Sequence, residues 1–142
     1  MAHVYWSLGL ASTGPSRELQ FQKSIALLDE LVARHPDVPS YQTALGNCCL
    51  GIGDMYARLG DRTKAMTSHE KAMQIFQQLC RDHPNNTQYL SSLAGTYNQF
   101  GNLQDDRKER LKWYEMSVDG ARKILAVNPS DTKTRSSLPT RW

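Results

Sequence analysis

Four sets of residues carry side chains that could do chemistry. His35 and His83 each precede a proline, Pro36 and Pro84, and imidazoles in matched surroundings are candidate metal ligands. Equivalent positions of stacked helices lie roughly 10 Å apart, whereas a metal holds its ligands at about 2 Å. The two histidines therefore read as helix ends. Cys48-Cys49 could be a redox pair, but neighbours on a helix point about 100° apart and cannot bridge; Cys49 falls on an apolar stripe and reads as core. Trp113-Tyr114 with Trp6 could form an aromatic ligand box; spacing makes Tyr114 a core residue and leaves Trp113 partly exposed. Asp105-Asp106 and Glu109 could act as acid and base. With Arg107, Lys108 and Arg110 between and beside them, they read instead as a solvated, self-neutralising turn. No Gly-rich phosphate loop, Ser-His-Asp arrangement or zinc-ligand spacing occurs. The expectation is a chain without catalytic residues, metal or cofactor.

The elements that position these residues recur. Shifting the sequence by 48 lays Pro36, Tyr41, Leu45, Ile52 and Gly53 on Pro84, Tyr89, Leu93, Phe100 and Gly101. Shifting it the other way lays His69-Glu70-Lys71-Ala72 on Phe21-Gln22-Lys23-Ser24. A fixed period of this size marks stacked supersecondary units. Apolar spacing predicts helices over 1–11, 17–34, 38–59, 62–81, 87–104 and 107–127, with Thr13-Gly14-Pro15-Ser16 as a turn and Ser16 as a cap. Beyond Gln104 the offset drops from 48 to 45, which predicts a loop about three residues shorter. Units of about 1–35, 36–83 and 84–128 follow, then a partial fourth over 129–142, begun by Ser136-Ser137-Leu138 and stopped by Pro139. The truncated outer units read as a piece of a longer array, or as an array with worn ends. The fold class expected is all-α: a right-handed solenoid of antiparallel helix pairs, about three pairs plus a short terminal helix.

Composition narrows the function. Apolar residues make up 39% of 142, enough for a core, and 17 basic against 14 acidic side chains leave +3 without long runs of one sign. Neither a nucleic-acid patch nor a membrane surface is indicated. No segment approaches the roughly 20 apolar residues of a membrane span, and the stretch Val4 to Ala11 lacks the basic region of a signal peptide. Three cysteines inside apolar-periodic segments suggest a reducing cytoplasm.

The middle unit, with Ile52-Gly53, Tyr56, Gly60, Ala65, His69 and Ala72, resembles the tetratricopeptide repeat, His69 standing at its aromatic position as Phe21 and Tyr114 do in the neighbouring units. Its late proline, Pro84, implies helices longer than the common form. Gln104 and Arg110 depart from the pattern at the tyrosine and first-alanine positions of the third unit. The phrasing of the units is also similar to arrays appended to certain bacterial serine/threonine kinases, although no kinase motif occurs in this chain.

The resemblance implies a non-catalytic scaffold that binds a partner's peptide or helix in a concave groove lined by the first helix of each pair. Its rule for groove positions places Trp6 and Leu10, Leu50 and Asp54, and Asn98 and Asn102 there, with Asn47 and Arg58 on the same stripe. The lysine-rich set by which some members grip a C-terminal carboxylate is absent. Two further expectations stand beside this one: a regulatory or localising arm of a larger enzyme, and an array that self-associates through its ends.

Overall fold

The structure is a computed structural model that describes residues 14–137. The short helix expected over 1–11 lies outside the described residues, as does Pro139. Six helices are described, with no strand among those residues: α1 (Gly14–Arg34), α2 (Pro39–Arg58), α3 (Arg62–Asp82), α4 (Thr87–Asn102), α5 (Arg107–Val127) and α6 (Thr132–Ser137). The fold class is the expected one, all-α with neighbouring helices packed as antiparallel pairs. None of these helices is long and apolar enough to cross a membrane.

Local chemistry sets the starts. Asp61 accepts from the backbone N–H of Lys64, Asn86 from those of Gln88 and Tyr89, Asp106 from that of Glu109, and Asp131 from that of Thr134. Each such cap satisfies first-turn donors and stabilises a helix by about 1 kcal/mol. At α2, Pro39 stands in the first turn, where no donor is needed, and Val38 before it is extended (φ −105°, ψ 97°).

The ends differ between pairs. After α2, Gly60 takes a left-handed conformation (φ 81°), and its N–H bonds Ala57 O while the Asp61 N–H bonds Tyr56 O. These two bonds form a Schellman closure that glycine alone adopts without strain. No glycine follows α4. Leu103 and Gln104 donate to Phe100 O and Gly101 O in a tight last turn, and the Arg110 guanidinium takes Gln104 O through Nε and Nη2 at 3.2 and 2.9 Å.

Two expectations are corrected here. The Thr13–Ser16 turn with Ser16 as cap does not form, because Gly14, Pro15 and Ser16 are already helical; proline is tolerated in a helix's first turn. The loop after Gln104 is not the shorter one. The connection over 103–106 has four residues against three over 59–61, and the missing residues come out of α4, which has 16 residues against 20 in α2.

The chain divides into two compact units, Met1–Ile75 and Phe76–Trp142. In the first, α1 runs antiparallel to α2: the Tyr56 hydroxyl donates to Glu18 at 2.8 Å, and the Phe21 ring meets the backbone at Gly51. α2 and α3 pair likewise, with the His69 ring against Gly53. Phe21, Leu28, Cys48, Cys49, Ala65 and Ala72 form a fully buried core with Ser24 and His69 among them. Burying one such large apolar side chain contributes roughly 1.5–3 kcal/mol. In the second unit, α4 runs antiparallel to α5: Gly101 lies under Tyr114 and Trp113, and Gly120 against Ala94. Trp113 is half-buried, in line with the partial exposure expected of it. Its indole meets Phe100 edge-on at 4.7 Å and Tyr97 at 5.9 Å, while Tyr114 is only half-buried.

Glycines in the same helices have opposite roles, which stability measurements separate. A Cβ at Gly51 would stand 2.7 Å from Phe21 Cε1, and that ring has nowhere to move at 0% exposure. Gly51→Ala is expected to destabilise by ~1–3 kcal/mol in urea unfolding despite alanine's better helix propensity. Gly95 has nothing within 4 Å of the added carbon, so Gly95→Ala should stabilise by ~0.5–1 kcal/mol. Equal signs for the two substitutions would contradict the packing described.

Candidate functional site

Helix α2 presents Asn47, Leu50, Asp54 and Arg58 along one face, because these positions recur at about one turn each. Asn47 and Arg58 are exposed, Leu50 and Asp54 half-buried. The flanks of this stripe are taken by the neighbouring helices, α1 at Gly51 and α3 at Gly53. Helix α4 presents Asn98 and Asn102 on an exposed face it shares with Ser91 and Gly95. Trp6 and Leu10 lie outside the described residues.

Two of the stripe residues are held by contacts that the sequence does not reveal. Asp54 Oδ1 lies 3.6 Å from Nε2 of His69, whose side chain is 2% exposed. Burial lowers the His69 pKa, and the nearby Asp54 charge opposes this only in part; burial likewise raises Asp54 against the pull of His69, Arg58 and Arg17. Desolvation dominates both groups, so the pair is a carboxylate beside a neutral imidazole and not an ion pair. His69 Nδ1 is buried with no hydrogen-bond partner. On α4, Asn102 Oδ1 accepts the Tyr114 hydroxyl. That bond occupies the amide oxygen and leaves the amide N–H groups as donors.

The other chemical candidates resolve as structure. His35 and His83 are exposed, each just beyond a helix, and each ring packs on a tyrosine, Tyr41 at 6.0 Å and Tyr89 at 5.7 Å. Among the described residues no three His, Cys, Asp or Glu side chains group as metal ligands. Cys48 and Cys49 are buried free thiols, pushed up to about 12 and about 11, in both cases chiefly by desolvation. Asp106 is the cap of α5. Arg110, at the repeat's first-alanine position, is half-buried and closes α4, while its counterpart Ala65 is wholly buried.

Residues 45–85 match the family model of the tetratricopeptide repeat. No curated protein matches the chain. The matched span runs from α2 through α3 and holds Gly53, Asp54 and His69 together.

Two measurements check this geometry. Native protein exposed to a disulfide thiol reagent should be modified at half-exposed Cys80 well before Cys48 and Cys49, and at all three in urea; equal native rates would contradict their burial. Because the folded pKa of His69 lies below its unfolded value near 6.5, the unfolded state takes up the proton first. Stability attributable to this group is therefore full above about pH 6.5 and falls as pH drops toward the folded pKa, by at most about 1.4 kcal/mol per pH unit. His69→Phe, which restores the ring type of Phe21, should remove that loss between pH 6.5 and 5. A slope unchanged in this variant would assign the proton uptake elsewhere.

Proposed function

We propose that this chain, whose residues 45–85 match the family model of the tetratricopeptide repeat, is a non-catalytic protein-interaction scaffold whose first-helix faces, on α2 in the first unit and on α4 in the second, each bind an extended segment of a partner protein. The observation that carries this reading is the α4 stripe. Asn98, Asn102 and Ser91 are exposed hydrogen-bonding side chains on one face, and Gly95 between them leaves open space where a backbone can approach. Asn102 is oriented by Tyr114 so that its donors face away from that bond. Amide side chains at successive turns offer a donor and an acceptor to a peptide backbone, whose own groups would otherwise lose water without compensation. On α2 the corresponding stripe, Asn47, Leu50, Asp54 and Arg58, offers one apolar contact and two opposite charges of its own, which supports a choice of side chain in a segment bound there.

Tyr114's bond suggests a variant that removes binding and keeps the fold. In Asn98→Asp with Asn102→Asp, a carboxylate at 102 still accepts the hydroxyl while the amide donors are lost. Immobilised parent protein should retain a partner from lysate of the source cell that the double variant does not. The variant's melting temperature should move by less than ~4 °C, as for surface substitutions. A fall in melting temperature together with binding would make these asparagines structural and end the assignment.

A further inference from the structure

On the side of α4 facing away from Asn98 and Asn102, the second unit contains a groove of about 460 Å³ between the C-terminal end of α3, α4 and α5. It adjoins a hollow of about 150 Å³ that reaches Met116 and Gly120 on α5. Leu90, Leu93 and Tyr97 line both, so the floor is apolar. All the described residues that line the two belong to Phe76–Trp142. The volume lies within the roughly 300–1,000 Å³ typical of binding clefts.

The charges are one-sided. Arg81 and Lys123, both exposed, stand on the walls of the larger groove, and among the described residues no carboxylate lines it. Asp119 lines only the smaller hollow and is paired with Arg122 at 3.5 Å. Arg81 spends one guanidinium nitrogen on Gln78 at 2.8 Å, which leaves further donors. The Tyr97 hydroxyl accepts from the Gln77 amide at 3.1 Å, which leaves its own proton to give. An apolar floor with cations and donors on its walls is complementary to an apolar side chain flanked by carboxylates.

We propose that this groove docks an acidic, amphipathic segment of a partner protein, with an aliphatic or aromatic side chain on Leu90, Leu93 and Tyr97 and adjacent Asp or Glu carboxylates against Lys123 and Arg81. A peptide fits better than a fatty acid. The hydrogen-bonding capacity that the Gln77 amide and Tyr97 hydroxyl keep beyond their mutual bond suits backbone groups of a peptide, whereas an acyl chain would desolvate it without compensation. This site is independent of the asparagine stripe and stands or falls separately.

The full chain, labelled with nitrogen-15, would be titrated with acetyl-Glu-Glu-Leu-Glu-Phe-Glu-amide, with its all-Gln counterpart and with dodecanoate. The acidic peptide should shift the amide signals of Leu90, Leu93, Tyr97 and Lys123, and the Gln peptide should bind at least about tenfold more weakly. Arg81→Glu with Lys123→Glu, both at exposed positions, should abolish the shifts with helix content unchanged, while Asn98→Asp with Asn102→Asp should keep them. No shifts from the acidic peptide, equal binding of the Gln peptide, or indifference to the charge reversal would each overturn the proposal. So would shifts from dodecanoate alone.

Discussion

Each helix pair closes where a side-chain ring can reach bare backbone. Phe21 reaches Gly51, His69 reaches Gly53, and Tyr114 reaches Gly101. A glycine inside a helix costs about 1 kcal/mol against alanine, and that cost is offset most where the ring it admits is fully buried. Phe21 and His69 are, at 0% and 1% exposure. The antiparallel register then follows, since a ring on one helix can meet its glycine in one alignment only. With that register set, Tyr56 reaches Glu18 and Lys71 reaches Asp29 at 3.0 Å from both carboxylate oxygens. The Lys71–Asp29 pair is largely exposed and contributes little energy of its own, while the Tyr56–Glu18 bond is part-buried. They decorate a register that the close contacts impose.

His69 fills an aromatic position with a titratable ring, and its environment removes the charge that would make it expensive to bury. The same contact ties the core to the α2 stripe, because Asp54 lies between His69 and the exposed face. In the second unit Tyr114 makes the parallel link to Asn102. In both units the second helix of a pair thus touches a polar residue on the outer face of the first.

Much of the architecture was legible from periodicity. The repeat offset located α5 to the residue and α2 and α3 to within one, since proline steps, glycine turns and apolar spacing agree there. It failed at α1, where Gly-Pro reads as a turn although proline suits a first helical turn. It failed again at the end of α4, because an offset counts missing residues without saying whether helix or loop lost them. Helical spacing also identified which residues share the stripes. It could not supply the partners of Asp54 and Asn102, which depend on the register between helices, or the groove around Leu93, which three helices build together. Nor could it supply the ring partners of half-buried Trp113, because Tyr97 and Phe100 come from another helix.

The turns over 59–61 and 103–106 differ in what they need in order to exist. The Gly60 turn is closed by main-chain bonds within α2 and its first flanking residues, so it persists whatever the next helix does. The turn over 103–106 takes its carbonyl partner from Arg110, one turn inside α5. The turn after α4 thus combines its own main-chain bonds with two that depend on the first turn of α5 being formed, whereas the Gly60 turn needs nothing from α3. Asn102, the last residue of α4, stands at that end of the helix. Local order at the stripe's edge is thus borrowed in part from the neighbouring helix.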